Sequence, residues 1–143
     1  MLDTGVLVRA NARSTGPARV VLNAIISGPH QLIMSEFLLD EAARVLRYPR
    51  LLARHGLNEQ EIEEHLDFLR RISEVIDVFI GDPVVLSDPD DDPVIYTALD
   101  GGADVLCTLD RDFFQRHVVA FCRARNIAVV TDVELLRLLV PRS

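Results

Sequence analysis

Apolar and polar positions fall in blocks that predict strands separated by helices. Leu2–Val8 opens with strand-like apolar residues, with no marker of where strand yields to helix. Ala18–Ile26 has helical spacing, and Pro17 suits a first helical position. Gly28-Pro29 makes a turn before a short strand at Gln31–Met34. Ser35 is a candidate cap for a helix over Glu36–Arg47, which Pro49 ends. Asn58 announces a second amphipathic helix, Glu59–Ile72, carrying Ile62, Leu66, Leu69 and Ile72 at helical spacing. Val75–Phe79 reads as a strand, Gly81–Asp92 as a loop rich in Asp and Pro, and Pro93–Leu99 as a helix stopped by Gly101-Gly102. Val105–Thr108 and Ile127–Val130 are predicted strands, with helices over Phe113–Arg125 and Val133–Leu139. Strands alternating with helices predict βαβ units, a mostly parallel central sheet and helices on both faces, a three-layer α/β/α, Rossmann-like fold. In such folds sites form beyond the carboxyl ends of the strands.

The length of 143 residues and an apolar share of 49% fit one domain with a substantial core over residues 1–143. No internal repeat or dividing linker is visible. The apolar runs are too short for a membrane span, and the opening Met1-Leu2-Asp3 lacks the basic and apolar regions of a signal peptide, so neither is expected. Cys107 and Cys122 make neither a disulfide framework nor a zinc site, and a reducing cytosol is the expected context. All 15 basic residues are Arg. Without Lys, a P-loop, a Schiff base and the receiver-domain phosphorylation site are excluded. A net charge of −7 argues against nucleic-acid binding by bulk electrostatics, so any such role needs a local patch or a bound cation.

Four groups of carboxylates stand out. Asp3 ends the opening strand and is followed by Thr4. Glu41 lies about 140° from Glu36 on a helical wheel, among Phe37, Val45 and Leu38, while Glu36, Asp40, Arg44 and Arg47 cluster elsewhere. A carboxylate aimed inward is costly unless paired. Asp88-Pro89-Asp90-Asp91-Asp92-Pro93 puts adjacent acids at a helix start, and Thr108-Leu109-Asp110-Arg111-Asp112-Phe113 directly follows a strand. Each has an ordinary explanation: Asp92 and Asp112 as helix caps, Asp110 and Asp3 as turn residues, Glu41 as an Arg partner. These do not account for Asp3, Asp110 and the Asp90–Asp92 run all falling at strand-to-helix junctions, which a parallel sheet gathers on one edge. Converging carboxylates raise one another's pKa unless a cation neutralises them. An all-oxygen site favours Mg²⁺ or Mn²⁺ over Zn²⁺. His30, His55, His65 and His117 show no ligand spacing and are expected at the surface or in helix packing.

The motifs Leu-Asp-Thr-Gly-Val-Leu-Val at 2–8, Ser-Glu-Phe-Leu-Leu-Asp-Glu at 35–41, Asp-Pro-Asp-Asp-Asp-Pro at 88–93, Cys-Thr-Leu-Asp-Arg-Asp-Phe at 107–113 and Ile-Ala-Val-Val-Thr-Asp at 127–132 occur in an order that resembles the PIN-domain family. The pattern looks most like the branch of toxin components of bacterial toxin–antitoxin systems, akin to VapC toxins. The resemblance implies an acidic metal site in which Asp3, Glu41, Asp92 and Asp110 match the four principal acids. Asp112 matches a frequent fifth, and Asp91 could share the third role. Thr4 and Thr108 match hydroxyl residues that orient the acids. It further implies Mg²⁺- or Mn²⁺-dependent hydrolysis of RNA, a homodimer, and a small antitoxin gripped around the helical excursion 36–72. Two departures stand out. The family usually has Asn where this chain has Gly5, and usually more residues before the first Asp. The expectation is either a native start upstream or an unusually short central strand.

Arg44, Arg47, Arg50 and Arg54 follow a helix and its exit, and read either as a solvated face with Glu partners or as an RNA-facing patch. Asp3-Thr4-Gly5 equals the tripeptide of retroviral-type aspartic proteases, but those need a strand-rich dimer. A haloacid-dehalogenase-type phosphatase needs an Asp at position 5 and a Lys. The alternative to a ribonuclease is a catalytically weakened PIN-like binding or regulatory module, for which Gly5 is the argument.

Overall fold

The structure, a computed structural model, describes residues 1–140. Its elements are α1 (Thr4–Arg9), α2 (Pro17–Ser27), β1 (Leu32–Ser35), α3 (Glu36–Val45), α4 (Pro49–His55), α5 (Glu59–Ile72), β2 (Ser73–Ile76), α6 (Asp92–Asp100), β3 (Val105–Cys107), α7 (Arg116–Arg123), β4 (Ala128–Val130) and α8 (Asp132–Leu139). Short 3-10 turns at Pro89–Asp91 and Arg111–Phe114 precede α6 and α7.

The strands are short and pair in parallel: β1 with β2, from Leu32 opposite Ser73 to Ser35 opposite Ile76, and β3 with β4, from Val105 opposite Ala128 to Cys107 opposite Val130. Residues 1–3 lie beside β3. The Asp3 amide donates to the Cys107 carbonyl at 2.9 Å, the Cys107 amide donates to Met1 at 2.9 Å, and Leu2 forms a parallel bridge with Cys107. Helices surround these ladders, in keeping with an α/β fold of three layers.

The opening apolar run departs from the strand expectation. Only its first residues pair with β3, and Thr4–Arg9 is helical. Asp3 caps this helix, and Val6, Leu7 and Val8 are all buried in it. Val6 and Val8 are β-branched, with modest helix propensity, so the burial of all three side chains outweighs local preference here. The expected helix Glu36–Arg47 ends at Val45, and Pro49, expected only to stop it, also starts α4 at its first position. Gly56, at φ 66°, ends α4 in the left-handed conformation that glycine adopts without strain. Asn58 and Glu61 close a capping box that fixes the start of α5, and Thr131 and Glu134 do the same for α8.

The main core joins residues 1–3, α1, α2, β1, α6 and β3, with Leu2, Leu7, Leu22, Met34, Ile95, Leu106 and Phe113 buried. A smaller core of Val8, Leu46, Leu57 and Ile62 packs the α3–α5 excursion against α1. Gly101 lets α6 approach β1 and β2: a Cβ there would collide with the Ile33 side chain and lie 3.0 Å from Ile76. Cys107 and Cys122 are both free thiols and buried. No helix among the described residues is long and apolar enough to cross a membrane.

Candidate metal centre

The carboxyl end of β3 and the ladder of residues 1–3 deliver the first acids. Asp3 is buried, 8% exposed, at the N-terminus of α1. One of its oxygens accepts the Thr4 amide at 2.6 Å, and the other accepts the Thr108 hydroxyl at 2.7 Å. Thr108 Oγ1 in turn accepts the Asp110 amide at 3.1 Å, so one hydroxyl links Asp3 to the turn after β3. It is the Thr4 backbone, not its hydroxyl, that holds Asp3; Thr4 Oγ1 is buried without a partner. Burial pushes the Asp3 carboxyl up to about 6 against the two hydrogen bonds, and the charges of Glu41 and Asp110 push the same way.

The Asp-rich loop supplies the facing acids. The Asp88 carboxylate accepts the Asp90 amide at 3.1 Å and so shapes the 3-10 turn at 89–91. Asp110 does the same for the turn at 111–114, accepting the Asp112 amide at 3.0 Å. These two turns bring Asp88, Asp91 and Asp112 together, with one carboxylate oxygen of each within 4.8 Å of the others. Asp91 is half-buried and its Oδ2 has no hydrogen-bond partner among the described residues. Burial, then the charges of Asp110, Asp88, Asp3 and Asp112, push its carboxyl up to about 7. The same field therefore connects Asp91 to Asp3 across the site.

Asp92, to which the sequence reading gave the third acidic role with Asp91 able to share it, makes backbone contacts in the fold. It is 3% exposed and its carboxylate accepts the amides of Val84, at 3.1 Å, and Val85, at 2.8 Å. It anchors the loop before α6, while the preceding residue, Asp91, faces the other acids. The sequence signal was an Asp run at a helix start; which member turned inward to backbone and which to the site depended on the 3-10 turn that ends at Asp91. Asp88, absent from the candidate set, joins the cluster through that same turn. Glu41, half-buried on α3, lies close enough to Asp3 to act on its titration. Its helix is set by Ser35, whose buried hydroxyl caps α3 and lies 2.8 Å from Thr97 Oγ1 on α6.

A model of the PIN domain family matches residues 1–112. The chain belongs to the PIN domain family. No curated protein and no solved structure matches it. PIN domains are in general metal-dependent nucleases that act on RNA or DNA, and they typically need divalent metal ions.

The residues of this PIN domain fit such an ion. All donors are carboxylate oxygens, the preference of a hard divalent cation. Asp91 Oδ2 is buried with nothing among the described residues to satisfy it, and burial first, then the crowded acids around it, raise the titration of Asp91. The four arginines singled out in the sequence divide. Arg47 is bound to Glu59 and Glu63, each at 2.6 Å, and Arg44 leans on the Tyr48 hydroxyl at 3.4 Å. Arg50 and Arg54 have no carboxylate within 4.0 Å among the described residues. His65 is buried with its Nε2 against the Leu7 carbonyl at 3.1 Å, a packing residue of α5.

Proposed function

We propose that this PIN domain is a Mg²⁺- or Mn²⁺-dependent endoribonuclease and the toxin of a cytoplasmic type II toxin–antitoxin pair. The observation that carries the reading is the orphaned, buried Asp91 Oδ2 amid Asp3, Asp88, Asp110 and Asp112. Asp3, Asp91, Asp110 and Asp112, with Asp88 beside them, would hold the ion; Asp92 serves by tethering the loop. A divalent ion bound there supplies a lowered pKa for water and neutralises charge on the phosphodiester.

The chain's own residues supply position and proton transfer. Thr108 and the Thr4 amide fix both oxygens of Asp3, so its orientation is set before any ligand arrives. Glu41 is the acceptor for the proton of the attacking water. Attack in line forms one P–O bond as the ester P–O bond breaks, with no covalent link to the protein. The toxin part of the reading is supported by the order of motifs across 2–132 and by the excursion 36–72, which leaves Phe37 and Tyr48 about half exposed as a surface for a second copy and an antitoxin.

Purified chain with single-stranded RNA and Mn²⁺ tests the nuclease reading. Cleavage should vanish with EDTA and in Asp3→Asn combined with Asp110→Asn; cleavage that survives either refutes it. Induced expression should arrest growth, and the double variant should relieve the arrest; growth unaffected by the wild-type chain refutes the toxin role.

A catalytically weakened binding module is the second reading, and Gly5 favours it. The position is exposed and a Cβ there would meet nothing within 4 Å, so α1 has room for a side chain at this position and carries none. Gly5→Asn should fold normally and raise cleavage severalfold. Unchanged cleavage would mean that the missing side chain does not limit this site.

A further inference from the structure

Beside the acidic centre, α1, the segment after it and α4 enclose a groove of about 560 Å³. Arg9, Arg13, Arg50 and Arg54 line it, with Asn11 and Gly5. This is a concentration of positive charge on a chain whose net charge is −7. Arg13 is paired with Glu61 at 3.0 Å, but among the described residues Arg9, Arg50 and Arg54 have no carboxylate within 4.0 Å, and the side chains of all three are without a hydrogen bond. Arg50 and Arg54 are four residues apart on α4 and so share a face. Asp132, the one acid among the described lining residues, is 7% exposed and accepts the Val133 amide. Gly5, in the lining, is two residues from Asp3, which caps the same helix.

We infer that this groove binds the phosphodiester backbone of single-stranded RNA and leads it to Asp3, an inference that rests on the ribonuclease reading for its choice of ligand. Guanidinium groups without acidic partners are free to take phosphate oxygens in forked hydrogen bonds. No Phe or Tyr lines the groove, and His55 has one ring nitrogen on the Leu46 carbonyl and the other on the Leu57 amide. Base stacking is therefore absent and recognition is of the backbone, indifferent to sequence.

The test is fluorescence anisotropy of a labelled uridine homopolymer in EDTA, where nothing is cleaved. Arg50→Gln combined with Arg54→Gln should weaken binding at least tenfold at low salt. It should also make the log–log salt dependence shallower by about 1.4, two phosphates at about 0.7 each. Arg123→Gln combined with Arg137→Gln, outside the groove, should change neither. An unchanged affinity and slope in the Arg50/Arg54 variant, with its melting temperature equal to wild type, overturns the inference. So does a polyglutamate peptide that displaces the RNA at lower concentration than unlabelled RNA does, which would assign the groove to an acidic protein. Binding without any Mn²⁺-dependent cleavage would count against the ribonuclease reading and leave the groove standing; cleavage with groove variants behaving as wild type would do the reverse.

Discussion

Replacing Asp91 with Asn should make the metal-free protein more stable while abolishing its activity. Asp91 sits half-buried among Asp3, Asp88, Asp110 and Asp112, and its carboxyl is pushed from 3.8 to about 7. A folded-state pKa above the unfolded one means that the native state prefers the proton. The resulting cost is absent below about pH 4, grows as pH rises through that interval, and is complete above about 7. At about 1.4 kcal/mol per pH unit the shift corresponds to roughly 4 kcal/mol. Solvent screening of a partly exposed group reduces this to about 1–2 kcal/mol. For a chain of this size that is a rise in Tm of about 3–6 °C at pH 8. Asn keeps the shape, removes the charge and can donate to the neighbouring carboxylates. The assay is thermal denaturation in EDTA at pH 8 and pH 4, followed by Mn²⁺ titration. The expected pattern is a gain at pH 8 that disappears at pH 4, together with loss of the stabilisation that Mn²⁺ gives the wild type. A variant no more stable than wild type at pH 8, or equally stabilised at both pH values, would show that Asp91 is not under charge strain and would remove the main support for a cation there.

Other substitutions separate the roles of the acids and their supports. Asp92→Ala leaves the buried amides of Val84 and Val85 without an acceptor and should cost about 2–3 kcal/mol in denaturant unfolding; full stability with lost Mn²⁺ binding would instead make Asp92 a ligand. Thr108→Val removes the hydroxyl that holds the Asp3 carboxyl down, so the acid limb of the cleavage–pH profile should move to higher pH as activity falls about tenfold; an unmoved limb refutes that positioning role. Burial pulls the His65 pKa down, so the folded state resists the proton that the unfolded chain takes as pH falls below about 6.5. Wild type should therefore lose stability relative to His65→Gln between pH 7.5 and 5.5, and parallel pH–stability curves would contradict this.

The succession of apolar blocks determined the alternation of helices and strands, because period and caps are local. Ser35, Asn58, Pro17 and Gly101 mark boundaries that the fold keeps to within a residue or two. The motifs also determined which loops carry acid. Three-dimensional packing decided the rest. Val6-Leu7-Val8 is helical with all three side chains buried against other elements, a context that no local propensity encodes. Asp91 and Asp92 are chemically identical neighbours, and a 3-10 turn alone sends one into the acidic cluster and the other onto the Val84 and Val85 amides. Arg47 and Arg50 differ in role only because α5 brings Glu59 and Glu63 to the first and nothing acidic to the second. Side-chain identity is written along the chain, but a charge's partners belong to other segments, and only folding brings those segments within reach.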